Sequence, residues 1–211
     1  MRRAVRIFAL VTAAAAVGWA SSSQAAFFGF PRAIKLQLAQ IRVDTPVLPP
    51  LGHTRFCLRY PSDCQGGGVD FRRRNIALTV ERWDELNLVN RQVNRDIIPD
   101  TSVTDDWIIA PQIGDCKDYA VTKRHELLAR VWPSRSLLLS EVIVPSGEHH
   151  LVLVVRMDQV DLVLDNLNAN IRSIAAIYPQ YQWLRIESPQ NPKFWATVSV
   201  PRPTHVAIAS D

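Results

Sequence analysis

The spacing of hydrophobic positions changes period once along the chain, near residue 135. Upstream it is helical. Between residues 75 and 98, Leu78, Arg82, Leu86, Val89, Val93 and Ile97 recur every three or four positions, and Trp83 and Leu88 widen the stripe. That pattern predicts an amphipathic helix, stopped by Pro99. A second helix is expected from Asp115 or Cys116 to about Val131, with Cys116, Ala120, Leu127 and Val131 on one face, Val121 and Leu128 beside them, and Pro133 just beyond the end. Downstream the period becomes two. Residues 137–144, 150–156 and 161–164 read as strands, and 183–186 as a last one. The turns at Pro145–Glu148 and Met157–Val160 predict antiparallel hairpins. Residues 26–55 show no strong period, and 47–52 read as extended or looped chain. Residues 66–68 are three glycines and exclude regular helix over that stretch. Residues 99–115 read as a loop with apolar bulk at Trp107-Ile108-Ile109, and Pro189, Pro192, Pro201 and Pro203 predict an irregular tail. A helix-rich half followed by a strand-rich half indicates one α+β domain over 26–211.

The first 25 residues stand apart from that domain. Arg2, Arg3 and Arg6 precede an apolar run from Ile7 to about Ala20, and Ser23-Gln24-Ala25 offers small residues for cleavage. This is the pattern of a removed signal peptide, too short for a comfortable membrane span and with no second apolar run after it. It predicts a periplasmic or secreted protein. It also changes the charge. Lys+Arg fall from 24 to 21 against 20 Asp+Glu, so a net +4 becomes +1. Arg72-Arg73-Arg74 is the one local basic run, with no aromatic or glycine-rich RNA-binding motif beside it. A nucleic-acid partner is therefore not expected.

Cysteine use carries the chemistry. Cys57 and Cys64 are close in sequence, with Pro61 between them, and are expected to pair in an oxidising compartment. Zinc on His53, Cys57 and Cys64 lacks a fourth ligand at suitable spacing, so no metal site is expected there. Cys116 is left over, where a loop turns into a helix. A thiol attacks as a thiolate, which a helix N-terminus and a nearby imidazolium both favour. His150 on one strand and Asp165 at the end of the next could supply the base and the carboxylate that orients it. His149 is the rival base, but neighbours on a strand point to opposite faces, so only one can face the thiol. Taken singly, Cys116 also fits a buried structural thiol, and Asp165-Asn166 a turn that closes a hairpin. The Cys116 backbone N–H is one candidate oxyanion donor, with Gln112 or Trp107 as a second.

Three stretches sharpen this reading. Gly114-Asp115-Cys116-Lys117-Asp118-Tyr119-Ala120, His150-Leu151-Val152-Leu153 and Val163-Leu164-Asp165-Asn166-Leu167 together resemble the bacterial transglutaminase-like cysteine peptidases. Phe56-Cys57, Arg82-Trp83, the run from Val89 to Asn94, and Gln182-Trp183-Leu184 agree with it. The resemblance implies a papain-like or transglutaminase-like fold, the nucleophile helix packed on an antiparallel sheet, and a Cys116-His150-Asp165 triad that hydrolyses peptide bonds through a thioester. It further implies a protein or peptide substrate such as a biofilm adhesin, and regulation by an inner-membrane receptor. Adhesin-clipping relatives carry an acidic residue directly after the nucleophile, in a calcium-dependent cluster. Here that position is Lys117, while Asp115 and Asp118 remain. No cofactor is expected, and calcium near Asp115 and Asp118 is disfavoured by Lys117. Two other functions share the residues: acyl transfer to an amine, and a binding or regulatory module without turnover.

Overall fold

Seven antiparallel strands form the sheet that carries the site. The computed structural model describes residues 39–66, 76–100 and 105–200. The expected signal segment, Gly67 and Gly68, Arg72-Arg73-Arg74, and Pro201 and Pro203 lie outside the described residues. Among the described residues no helix is long and apolar enough to cross a membrane.

The chain runs β1 (Arg42–Val47), α1 (Leu51–Arg59), α2 (Val80–Asp96), β2 (Ile98–Pro99), β3 (Ile113–Gly114), α3 (Cys116–Ala129), β4 (Leu137–Ile143), β5 (His149–Arg156), β6 (Asp161–Leu164), β7 (Arg172–Ser173), α4 (Ile174–Ile177), β8 (Gln182–Glu187) and β9 (Trp195–Ser199). Sheet order is β1-β9-β8-β4-β5-β6-β7, and β2 pairs with β3 in a separate short parallel ladder. The central hairpin pairs Leu139 with Leu153 and Val142 with His150. Its strands are buried on both sides, so they read as nearly continuous apolar runs. Leu137, Leu139, Leu151, Leu153, Val155, Leu162 and Leu164 share one core with α2 and α3. Leu138, Val142, Val152, Val154, Val163 and Ile186 share a second core with α4 and Ile41.

The mixed helix and antiparallel sheet expected from the periodicity is present, with corrections. The first expected helix begins at Val80, not near residue 75, because Thr79 caps it. The Thr79 Oγ1 accepts the Arg82 N–H at 3.3 Å, a cap worth about 1 kcal/mol. Leu88 is 54% exposed and does not extend the apolar face, and Val131 is 89% exposed with φ 65°, past the helix end. Two segments expected to be irregular are ordered: α1 follows Pro50, and β9 lies in the proline-rich tail and pairs with β1.

Candidate active site

Cys116 is the first residue of α3, and the sequence around it fixes that helix start. Asp115 is the N-cap, and its Oδ1 accepts the Lys117 N–H at 2.9 Å. Asp118 closes a capping box, its Oδ2 accepting the Asp115 N–H at 3.0 Å. The other oxygen of Asp118 accepts the Ile108 N–H at 2.7 Å, and Thr122 Oγ1 accepts the Ala110 N–H at 2.8 Å. The loop before Cys116 is thereby tied to the helix that carries it. Burial raises the Asp118 pKa, against the backbone donors that lower it. Gly114 is required here, since a Cβ would lie 2.5 Å from Asp118 Oδ2. At the other side, Tyr119 donates its hydroxyl to Ile97 O at 2.6 Å and locks α3 to the end of α2.

The structure brings Cys116, His150 and Asp165 together. His150 is buried on β5 and its Nε2 lies 2.8 Å from Asp165 Oδ1. The Cys116 thiol, which is partly buried and is the free cysteine, lies near enough to act on the charge of the ring. His149 lies on the opposite face, exposed and 2.7 Å from Glu141. Burial opposes charge on His150, but the hydrogen bond to Asp165 and the influence of Asp165 and Cys116 on the ring's charge outweigh it, and its pKa rises to about 9. Burial likewise works against the Asp165 carboxylate. The His150 bond and charge, then Tyr181 and the Leu167 N–H, hold it well below the usual carboxylate range. The Leu167 N–H donates to Asp165 Oδ1 at 2.9 Å, the Tyr181 hydroxyl to Oδ2 at 2.7 Å, and Asn168 Nδ2 to Oδ2 at 3.1 Å. Asp165 thus forms the expected turn and holds the histidine as well; the two readings of this residue are compatible.

These elements decide the family. The sequence profile of the bacterial transglutaminase-like cysteine proteinases matches residues 43–202. The chain belongs to that family. It is therefore a cysteine peptidase of transglutaminase-like type, and its substrate is a protein. Among solved structures it is similar to calcium-bound LapG of Legionella pneumophila, at 23% identity and a TM-score of 0.48, over 55% of this chain and 68% of that one. A second LapG structure from the same organism gives 24% identity and a TM-score of 0.47, over 55% and 67%. No curated protein matches.

Other expected site residues in this peptidase sit as follows. Cys57 and Cys64 form a disulfide. His53 lies beside it, and these three groups come within 4.8 Å of one another. The sulfurs are spent on each other, however, and His53 is engaged by Glu187 and Trp195. Gln112 is exposed, and its backbone O accepts the Ile98 N–H at 3.0 Å. Trp107 is buried against α1, its ring 5.6 Å from that of His53 and its Nε1 2.5 Å from where a Cβ on Gly52 would stand. Three residues at the site were not singled out from sequence. Tyr181 supports Asp165. Asn94 Nδ2 donates to Asp165 O at 3.0 Å, and Asn90 Nδ2 to Ala169 O at 3.2 Å. Two asparagines four apart, on the apolar side of α2, were the available signal for this pair.

Proposed function

We propose that Cys116 is the nucleophile, His150 the base and general acid, and Asp165 the carboxylate that orients the imidazole. The observation that supports this is the buried pairing of His150 Nε2 with Asp165 Oδ1 at 2.8 Å, near the Cys116 thiol, with the imidazole proton retained to about pH 9. An imidazolium at the sulfur favours the thiolate. The thiolate attacks the scissile carbonyl, and His150 passes its proton to the leaving amine. Water, deprotonated by His150, then hydrolyses the thioester and releases the acid. As first residue of α3, Cys116 has a backbone N–H with no acceptor inside the helix, so it can serve the oxyanion. Gln112 is the second donor in this reading. Trp107, whose indole N–H faces Gly52, supports the loop instead.

The substrate in this reading is an exported or surface protein, with adhesin processing and an inner-membrane receptor as the roles the resemblance implies. The Cys57–Cys64 bridge supports action in an oxidising compartment such as the periplasm, after loss of the signal segment. Calcium does not fit the residues present. Both Asp115 oxygens are engaged by Lys117, one by its N–H and one by its ammonium, and both Asp118 oxygens by backbone N–H groups. Calcium needs six to eight oxygens, usually several of them anionic, so no step is routed through it. Labelling by an electrophilic peptide probe is expected to proceed in EDTA within about twofold of its rate without chelator.

The testing experiment is alkylation by iodoacetamide of the unreduced protein, in which the bridged cysteines do not react. At pH 6 Cys116 is expected to react at least about tenfold faster than free cysteine, and His150→Ala to remove the acceleration. A wild-type rate no greater than that of free cysteine would overturn the triad reading.

A further inference from the structure

Among the described residues the triad leaves one buried cation without a role. Lys123 lies on α3 two turns beyond Cys116, on the same side of the helix. It is 1% exposed, and with Arg124 it is one of the largest fully buried side chains. Arg124 is accounted for by Glu187 and by carbonyl oxygens. Burying an ammonium costs free energy unless charge or hydrogen bonding offsets it, so the surroundings of Lys123 are informative. The charge that acts on it is Asp165. Burial pulls its pKa down to about 7, and attraction to Asp165 limits the fall. Around the Asp165 turn lie acceptors in need of donors. The side-chain oxygens of Asn90, Asn94 and Asn166 are buried without a hydrogen-bond partner, while the Asn94 amide nitrogen holds the Asp165 carbonyl. A cation set back from such oxygens can serve them through a buried water.

In the reactive state of the triad a thiolate, an imidazolium and a carboxylate carry a surplus negative charge inside the protein. We propose that Lys123 is a positioning residue whose ammonium balances that surplus and widens, toward acid, the pH range in which Cys116 is reactive. The proposal rests on the triad reading above. Other charges near the group are already committed. On α3 itself, Asp115 is paired with Lys117 and Asp118 is held by backbone donors. Tyr119 is bonded to Ile97 O. From β5 comes His150 and from the turn after β6 Asp165, and Tyr181 donates to Asp165. The buried residues of α2 are Leu86, Val89, Asn90 and Val93, none of them ionisable. Among the described residues, Lys123 is thus the buried cation left to offset the thiolate.

The test is the pH profile of Cys116 alkylation by iodoacetamide, between about pH 4 and 9, on the unreduced full chain. Wild type, Lys123→Met and Lys123→Arg are compared, with thermal melting as the check on folding. Loss of the cation is expected to move the acid-side midpoint of Lys123→Met up by roughly one pH unit. Alkylation then slows about tenfold on that limb, with the alkaline plateau kept and the midpoint restored in Lys123→Arg. A merely structural lysine would alter melting or the plateau and leave the midpoint in place. An unmoved midpoint, in protein whose wild type is accelerated through His150, overturns the role of Lys123 and leaves the triad standing. A wild type without acceleration overturns both. Coupling is reciprocal, so lysine NMR with ¹³C labelling supplies a second reading that needs no change at Lys123. Its titration midpoint is expected to fall in Cys116→Ser, and an unchanged midpoint overturns the proposal.

Discussion

Asp165→Asn is expected to slow thioester formation by roughly a thousand- to ten-thousand-fold. The carboxylate receives four donors on two oxygens: His150 and the Leu167 N–H on Oδ1, Tyr181 and Asn168 on Oδ2. An amide has one oxygen. Whichever way it turns, two of those donors face an NH₂ group. If that group faces His150, it donates to Nε2 and forces the ring proton onto the nitrogen that faces the sulfur, and the ring can no longer take the thiol proton. If it faces Tyr181, the histidine keeps its tautomer but loses the negative charge that holds its proton. Single-turnover acylation by a fluorogenic peptide ester reads the effect, and a variant within tenfold of wild type would remove Asp165 from the mechanism. Stability should respond to pH with a definite sign. His150 has a raised pKa, so its pairing stabilises the fold fully below the ordinary value of 6.5 and fades as pH rises through about 9. Asp165 has a lowered one, so its share is lost only in strong acid, well below the ordinary carboxylate range. The melting difference between wild type and Asp165→Asn should therefore be flat from mildly acidic to neutral pH and shrink above it.

The parts of this architecture that sequence made legible are those coded locally. The third strand of the predicted series matches β6, and the central hairpin differs by a residue at its ends. In each case alternation or an apolar run between turn residues suffices. The helix that carries Cys116 was legible for a similar reason, because Asp115 and Asp118 write a capping box into neighbouring positions. α1 was hidden because Pro49-Pro50 and Gly52 argue against helix, and only Gly52, His53 and Phe56 of its residues are buried. β1 and β9 were hidden because each is short and partly exposed, and their pairing joins residues about 150 positions apart, for example Arg42 with Ser199. No local window holds that information. Within the candidate site, the three motifs hold the proposed reacting side chains, but Tyr181 and Lys123 carry no motif signal of their own, and the run from Val89 to Asn94 did not point to Asn94 as a support of Asp165. Tyr181 is one aromatic residue before a strand. Lys123 has the wrong polarity for the buried helix face on which it lies.

Behind α3 a second buried polar group holds the layers together, and breaking it should give the largest loss of stability. Glu187, on β8, is fully buried and accepts the Leu139 N–H at 2.9 Å. Its other oxygen lies 2.9 Å from His53 Nε2, and the Arg124 guanidinium is 3.6 Å away. The Trp195 N–H donates to His53 Nδ1 at 3.2 Å, so His53 carries its proton on Nε2 and donates to Glu187. Arg124 in turn donates to Leu137 O at 3.1 Å and to Asp63 O, in the loop closed by the disulfide. The group thus joins α1, α3, β8 and the bridged loop. Glu187→Ala leaves a buried guanidinium without its counter-charge, and the expected loss is about 3–5 kcal/mol. For a domain of this size that lowers the melting temperature by on the order of 10 °C. Arg124→Leu combined with Glu187→Leu should recover part of the loss, because removing both charges abolishes the desolvation cost that a single removal leaves behind. A Glu187→Ala protein that melts within about 2 °C of wild type would show that the pair contributes nothing net. The group does not touch Cys116 or His150, so below its lowered melting transition the variant should keep the wild-type pH midpoint of alkylation. That outcome would separate residues that hold α3 in place from the lysine proposed to set the charge of its nucleophile.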